Sequence, residues 1–328
     1  MTRTPEEKLA QIRKALAKQA FAGKTVAQVR EEERFLSPVG FNAPGVTVQS
    51  FVAEGIRAEI VRPATGEKDG LILYVHGGGF FAGSTDTHRG LVSHIVRASG
   101  VPALSFNYSL APEHPYPAAL DETLAVWRRL RADGYGRRNV VFGGDSAGGG
   151  LALMALLALR DAGEELPAGA FLLSPFVDYT RMNEESYRTK AGVDPFVSLE
   201  GNRMCVETFF GPRLPEGFIS PVDRDLSGLP PLLVQVGENE VLLDEIRLLA
   251  ERAKAQGVPV TFEEWDGMWH VFQMLAHIVD EGRRAVGSIA AFVNRVLGPC
   301  PRECGSVREL KRRQARDRDR LTTPAALL

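Results

Sequence analysis

Cysteine is scarce in this chain of 328 residues. Its three cysteines, Cys205, Cys300 and Cys304, are too few and too unevenly spaced for a disulfide framework. Cys300 and Cys304 have a spacing found in metal sites, but no second pair accompanies them. We therefore expect neither a disulfide scaffold nor a zinc site.

Long apolar runs and an excess of charge are also missing. The longest apolar run, Leu151–Leu159, is far shorter than the ~20 residues needed to span a bilayer. Charges occur throughout residues 1–20, which argues against a secretory signal peptide. The net charge of −2 argues against a dedicated nucleic-acid binder. We therefore expect a cytoplasmic protein that binds neither membranes nor nucleic acids.

What the chain does contain is an alternation of strand and helix patterns. Leu71–Val75 and Pro231–Val236 are apolar runs of the kind expected for strands buried on both faces. Segments with helical periodicity lie between such runs. This alternation is typical of an α/β fold with a mostly parallel central sheet flanked by helices. Val46–Val48 and Ile56–Val61 alternate in steps of two, which predicts an antiparallel pair at the sheet edge.

Three stretches fall outside this alternation. Residues 1–45 predict a helical appendage, with a helix start at Thr25-x-x-Gln28. Residues 178–221 contain Asp194-Pro195 among scattered aromatic residues and predict an insertion between two parts of the sheet domain, 46–177 and 222–297. The last helix of that domain is predicted over Gln273–Leu297. Residues 298–328 have eight Lys or Arg against four acidic residues and predict a basic, disordered tail.

The segment Gly144-Asp145-Ser146-Ala147-Gly148 lies between a strand pattern and a helix pattern. Its G-x-S-x-G spacing is that of a nucleophile elbow, which places a serine on a sharp strand-to-helix turn. Glycines flank such a serine because the strand and the helix approach closely. An ordinary glycine-rich turn has the same composition, so the interpretation depends on partner residues elsewhere in the chain.

A serine nucleophile needs a base and a carboxylate that orients the base, in the chain order Ser, acid, His for this kind of turn. His270 follows a predicted strand in a loop, and we favour it over His277, which is predicted to lie within the last helix. Glu240 lies in the loop after the strand at Pro231–Val236. Asp244 lies in the first helical turn, where the helix dipole explains an acidic residue. We favour Glu240 and keep Asp244 as the alternative.

Three consecutive glycines, Gly77-Gly78-Gly79, follow His76 directly after the strand at Leu71–Val75. Flexibility is one explanation for such a run. The other is that the loop leaves backbone amides free to point at a ligand. An H-G-G-G loop at this place would supply oxyanion-hole donors.

Four motifs occur in a set order, at His76–Phe80, Tyr108–Pro115, Gly144–Gly149 and Asp266–Phe272. Together they resemble the hormone-sensitive lipase-like esterases, the bacterial family IV carboxylesterases. The resemblance covers about residues 5–297. It implies the α/β-hydrolase fold, with 1–45 and 178–221 forming a helical cap. One departure is Glu240-Val241-Leu242, where the family usually has an aspartate in a D-P-L segment.

The resemblance also implies site residues. Ser146 would be the nucleophile, His270 the general base and then acid, and Glu240 the carboxylate that orients the imidazole. The backbone amides of three residues would form the oxyanion hole: Gly77, Gly78 and Ala147. Three further residues are predicted to contact the substrate: Phe80, Asp145 and Phe209.

The activity implied is that of a serine carboxylesterase that hydrolyses short- to medium-chain acyl esters through an acyl-enzyme, without metal or cofactor. Members of the family often dimerise, so a homodimer is one expected state. A lactone hydrolase with the same triad is an alternative. A non-catalytic receptor for a small ligand on the same fold is another, although such a receptor usually lacks the histidine.

Overall fold

One eight-stranded sheet organises the computed structural model, which describes residues 5–36, 42–53 and 55–298. Its order is β1-β2-β4-β3-β5-β6-β7-β8; the β1–β2 and β2–β4 pairs are antiparallel, and the pairs from β4 onward are parallel. The predicted edge pair and parallel sheet are therefore confirmed. The strands are β1 (Val46–Ala53), β2 (Ile56–Pro63), β3 (Leu71–Val75), β4 (Ala103–Phe106), β5 (Val140–Asp145), β6 (Gly169–Leu173), β7 (Leu232–Gly237) and β8 (Val260–Trp265).

Helices cover both faces of this sheet and extend beyond it. In the described part of the chain they are α1 (Pro5–Leu16), α2 (Val26–Leu36), α3 (Thr85–Ser99), α4 (Ala118–Ala132), α5 (Ser146–Asp161), α6 (Glu185–Thr189), α7 (Leu199–Phe210), α8 (Leu243–Ala255) and α9 (Asp280–Leu297). Short 3₁₀ turns lie at Ala17–Gln19, Pro221–Asp223 and Phe272–Leu275. Within the described ranges, no helix combines the length and apolar composition needed to cross a membrane.

The central strands are buried because their side chains are apolar on both faces. In β3, Leu73 and Val75 pack with α4, α5 and α8, whereas Ile72 and Tyr74 pack with α3 and α9. Side chains that alternate along a strand point to opposite faces, so an unbroken apolar run supplies two hydrophobic layers. This arrangement fixes the sheet and directs the carboxyl ends of its parallel strands to one edge.

Two groups of helices lie outside the sheet in the described residues. Helices α1 and α2 precede β1, and the insertion between β6 and β7 contains α6 and α7. The start of α2 has reciprocal bonds, since the Thr25 amide donates to Gln28 Oε1 at 2.8 Å and the Gln28 amide donates to Thr25 Oγ1 at 3.3 Å. The predicted basic tail lies outside the described residues from position 299 onward.

The last helix begins later than the periodicity predicts. Gln273 belongs to the 3₁₀ turn, and α9 starts at Asp280. Val271, with φ of +49°, bends the chain just after His270, and Gly282 of α9 packs against Ala276. The prediction of one helix from Gln273 was wrong because a short turn packed against a helix keeps the same apolar spacing.

The turn between β5 and α5 leaves no room for side chains at its glycines. A Cβ on Gly148 would lie 2.3 Å from the carbonyl oxygens of both Val75 and His76, and a Cβ on Gly144 would lie 2.6 Å from the Gly148 oxygen. These atoms belong to the backbone of β3, of the loop that follows it and of α5, and they cannot move aside without disturbing the packing of the helix against the sheet. The two glycines are thus required by the close approach of helix and strand.

We expect Gly148→Ala to destabilise the fold by at least about 1–3 kcal/mol, the usual cost of overpacking a core. Its matched control is Gly287→Ala in α9, where an added Cβ meets nothing within 4 Å. That change should stabilise the helix by roughly 0.5–1 kcal/mol. Urea unfolding followed by circular dichroism measures both; equal midpoints for the two variants would contradict the packing argument.

Candidate active site

Ser146, Glu240 and His270 meet where the parallel strands of the sheet have their C-terminal ends. The Ser146 Oγ lies 2.8 Å from His270 Nε2, and His270 Nδ1 lies 2.9 Å from Glu240 Oε2. Ser146 directly follows β5, Glu240 follows β7 and His270 follows β8. Parallel strands end at the same edge of a sheet, which brings these distant parts of the chain together. The result is a continuous chain of hydrogen bonds from a hydroxyl to a buried carboxylate.

Ser146 sits in a strained backbone conformation. Its φ is +51°, in the left-handed region that non-glycine residues seldom occupy. As the first residue of α5, it lies where the partial positive charge of the helix N-terminus favours an anion. The turn therefore exposes the hydroxyl and places it in a favourable field for negative charge.

The two acidic alternatives have different partners. Glu240 bonds to the His270 imidazole, whereas the Asp244 Oδ2 accepts the Ser186 amide at 2.8 Å and Asp244 also pairs with Arg247. The structure thus brings Glu240, and not Asp244, to the histidine. Asp244 instead joins α8 to the insertion.

Ser174 supports Glu240 from behind and was not found from the sequence. Its hydroxyl donates to Glu240 Oε1 at 2.7 Å and accepts the Val271 amide at 3.1 Å. Ser174 lies just after β6 with φ of +45°. Its position at the same sheet edge was the available signal, but a serine before a proline has no distinctive pattern. Ser174 links the carboxylate to the residue that follows His270.

The surroundings of His270 favour its protonated form. Burial by itself lowers the pKa of His270, while the hydrogen bond and the charge of Glu240 raise it, with smaller contributions from Asp194 and Asp145. The net result is a pKa above the ordinary value of 6.5. A proton taken by this imidazole is therefore stabilised.

The glycine loop presents a different set of amides from the predicted one. The Gly77 amide donates to Asp145 Oδ1 at 3.2 Å, so it is already used inside the protein. Gly78 and Gly79 line the cavity beside Ser146, and their amides have no acceptor among the described residues. Ala147, second in α5, has no helical acceptor for its amide. The structure therefore replaces Gly77 with Gly79 among the candidate oxyanion donors.

Asp145 reaches the cavity wall, but its oxygens are bound to the protein. Oδ1 accepts the Tyr74 hydroxyl at 2.7 Å as well as the Gly77 amide, and Oδ2 lies 3.2 Å from His88 Nε2. Burial by itself raises the pKa of the Asp145 carboxyl. The charge and hydrogen bond of His88 and the hydrogen bond from Tyr74 lower this pKa by a larger amount. The pKa of Asp145 is therefore below its ordinary value, and the carboxyl is ionised. Asp145 anchors the glycine loop instead of presenting a free carboxylate to substrate.

Phe80 and Phe209, the other predicted substrate contacts, lie inside the core. Their rings stack on each other with centroids 3.9 Å apart, and both are wholly buried. Neither side chain is on the cavity wall. The prediction placed Phe80 at the site as the end of the glycine motif and Phe209 as an aromatic residue of the insertion, whereas the two rings pack on each other in the core.

A cavity of about 410 Å³ opens above Ser146 and His270. Both segments outside the sheet contribute to its wall, which includes Ile12, Leu16, Phe21, Phe196, Val197 and Asn202. Its volume is within the range of small-molecule sites. No group of three or more metal-binding side chains is found in the part of the chain that the structure describes.

Helix α2 is bound to the loop that carries the glycines. Arg30 Nε donates to the Phe81 carbonyl at 2.7 Å, and its Nη2 donates to the Ala111 carbonyl at 2.8 Å. Glu33 Oε2 accepts the Gly83 amide at 2.7 Å. The N-terminal segment is therefore fixed to the loop beside the cavity by charged side chains.

Comparisons with known proteins agree with this architecture. A family model for the alpha/beta hydrolase fold matches residues 72–274. An acetyl-hydrolase of Streptomyces hygroscopicus is 42% identical over 74% of this chain and 80% of its own, and an esterase of Acinetobacter venetianus is 36% identical over 76% and 82%. The crystal structure of an esterase from the bacterial hormone-sensitive lipase family matches with a TM-score of 0.84 and 40% identity, covering 91% of this chain and 100% of that one. This chain therefore belongs to the α/β-hydrolase fold family, among the hormone-sensitive lipase-like esterases, and is a carboxylic ester hydrolase.

Proposed function

We propose that this esterase uses Ser146, His270 and Glu240 as a catalytic triad and hydrolyses esters of short- to medium-chain acids through an acyl-enzyme. The observation that carries the proposal is the unbroken hydrogen-bond chain at 2.8 Å and 2.9 Å on the floor of the cavity. Serine hydroxyls are weak nucleophiles until a positioned base accepts their proton. This chain of contacts supplies that base and the carboxylate that orients it.

In the acylation step, Ser146 Oγ attacks the ester carbonyl carbon while its proton passes to His270 Nε2. The tetrahedral intermediate collapses by expelling the alcohol oxygen, which takes the proton from Nε2 and leaves as the alcohol. In the deacylation step, His270 takes a proton from water, which attacks the acyl carbon. The acid leaves as Ser146 regains its proton. Glu240 orients the imidazole and stabilises the imidazolium.

The negative oxygen of each tetrahedral intermediate would accept hydrogen bonds from the backbone amides of Gly78, Gly79 and Ala147. Donors fixed in place before the reaction stabilise charge that develops only in the transition state. The bond from Asp145 to the Gly77 amide supports this arrangement because it fixes the start of the glycine loop. The N-terminus of α5 adds a favourable dipole at the same place.

The acyl preference is supported by the walls of the cavity. Phe21 and Phe196 lie over the site from the two cap segments, with ring centroids 5.7 Å apart. Bulky rings that meet in this way limit the length of acyl chain that fits without rearrangement. The relative named as an acetyl-hydrolase gives independent support for a short acyl group.

We expect p-nitrophenyl esters to be hydrolysed fastest at short or medium acyl chains, and Ser146→Ala to lower kcat by about 10⁴-fold or more. Spectrophotometric assays from acetate to palmitate measure both. A maximum at palmitate would contradict the proposed chain length, and a Ser146→Ala variant with wild-type activity would contradict the triad.

A matched panel of lactones separates linear esters from cyclic ones. Faster turnover of lactones would favour the lactone hydrolase. Tight binding of small acids without turnover of any ester would favour the receptor and overturn the proposal.

Two isosteric substitutions distinguish the acidic candidates. Glu240→Gln should lower kcat by about 10²–10⁴-fold, because the amide cannot hold the imidazole in the required tautomer as the carboxylate does. Asp244→Asn should retain most of the activity, since Asp244 bonds to Ser186 and Arg247 instead. Equal loss in both variants, measured with the same short-chain ester, would refute the assignment.

The acid limb of the kcat/KM profile should lie above pH 6.5, the ordinary pKa of histidine. His270 must be neutral to accept the Ser146 proton, and its pKa is raised, so activity is lost as the pH falls through that raised value. In Glu240→Gln the residual activity should have its acid limb at lower pH, because the carboxylate that raises the pKa is gone. Initial rates over a pH series measure the acid limb of the wild type and that of Glu240→Gln. A wild-type acid limb at or below pH 6.5 would contradict the raised pKa of His270.

A cytoplasmic location and a homodimeric state stay predictions. Cell fractionation with an antibody tests the location, and light scattering coupled to size-exclusion chromatography tests the assembly. A monomer over the whole accessible concentration range would refute the dimer without affecting the proposed chemistry.

A further inference from the structure

Asp194 is a buried carboxylate in the insertion that none of the catalytic steps uses. It is 9% exposed and lies between α6 and α7. Its Oδ1 accepts the Phe196 amide at 3.0 Å and the Val197 amide at 2.9 Å, and its Oδ2 accepts the Val241 amide at 3.0 Å. One side chain therefore joins the cap to a turn of the core.

Those three amides belong to the immediate neighbours of the triad. Val241 directly follows Glu240, so the bond from Asp194 fixes the turn that carries the orienting carboxylate. Phe196 lies over His270 with ring centroids 6.1 Å apart and planes inclined by 17°. Val197 lines the cavity. Asp194 thus bonds both to the backbone of Phe196, whose ring lies over His270, and to the backbone next to Glu240.

Asp194 also adds a charge at this place. Burial raises the pKa of Asp194 to about 6, and Glu240 contributes in the same direction, while His270 and the backbone bonds to Phe196 and Val197 lower it. The carboxyl is therefore ionised at pH 7 and above. The titratable groups that face it are His270 from the loop after β8 and Glu240 from the turn after β7. Asp145, the last residue of β5, is a further charge that acts on His270.

We propose that Asp194 is a positioning residue for ester hydrolysis: it fixes the turn that carries Glu240 and places a second negative charge beside His270. This inference rests on the proposed triad. An imidazole that takes the Ser146 proton becomes cationic, and two nearby anions stabilise that cation more than one does. The insertion then contributes to catalysis as well as to the wall of the cavity.

If the role of Asp194 were purely structural, its substitution would have a different effect on the activity. Asp178, another buried carboxylate of the insertion, accepts the Thr180 amide and hydroxyl and pairs with Arg181. It also accepts the Ser220 hydroxyl at 3.2 Å, so it stabilises its own loop and the segment around Ser220 without bonding to Phe196, Val197 or Val241. If Asp194 only stabilised the cap, its removal would resemble that of Asp178.

The test compares Asp194→Asn with Asp178→Asn, using a short-chain p-nitrophenyl ester and the full-length protein. The asparagine keeps the size of the side chain but has one carbonyl oxygen, so an NH₂ group faces one of the three amides. We expect kcat to fall on the order of tenfold, as when other supporting partners of a site are removed. We also expect the acid limb of kcat/KM to move to lower pH, since one anion beside His270 is lost. Asp178→Asn should lower the melting temperature and leave the acid limb at its wild-type position.

Two further variants keep the proposal testable if Asp194→Asn folds poorly. Asp194→Ser retains a hydroxyl acceptor without the charge and should also move the acid limb to lower pH. Asp194→Glu retains the charge, so its acid limb should lie at the wild-type pH or closer to it than the limbs of the uncharged variants. An acid limb that stays at the wild-type pH in both uncharged variants, with unchanged kcat, would overturn the role of Asp194. Wild-type activity in Ser146→Ala would instead overturn the triad itself, so the two failures are distinct.

Discussion

The active site depends on the sharp turn between β5 and α5. Gly148 lies against the carbonyls of Val75 and His76, where β3 ends and the glycine loop begins. The same turn holds Ser146 at a φ of +51°. Because backbone atoms at the end of β3 and at the start of the glycine loop make these contacts, the packing of α5 against the sheet sets the distance between Ser146 and the glycine loop. The strain at Ser146 is offset by the packing of the whole core around it.

Buried carboxylates give the site its electrostatic character. Glu240 bonds to His270, Asp194 bonds to the neighbouring turn, and Asp145 binds the glycine loop. A buried charge without partners would be strongly unfavourable, but each of these groups accepts hydrogen bonds from several donors. The site can therefore hold a concentration of negative charge around one imidazole. In the proposed mechanism, that negative charge lies where a positive charge develops during proton transfer.

Local spacing and chain order determined much of this protein in advance. Unbroken apolar runs predicted the parallel sheet, because a strand buried on both faces has no polar side. Gly144 and Gly148 predicted the turn around Ser146, because strand and helix approach too closely there for side chains. His270 was recognisable from its place after a late strand. These features depend on local spacing and on the order of residues along the chain, and both can be read from the sequence.

The tertiary structure decided which atoms face one another. Glu240 and Asp244 both follow β7, and the direction of the chain in space separates the one that reaches His270 from the one that bonds to the insertion. Gly77 was expected among the oxyanion donors, but the approach of Asp145 takes its amide. Asp194 has no recognisable pattern, since its partners lie in another part of the chain. A sequence tells which residues stand at the ends of strands; the direction of each side chain depends on the packing of elements far apart in that sequence.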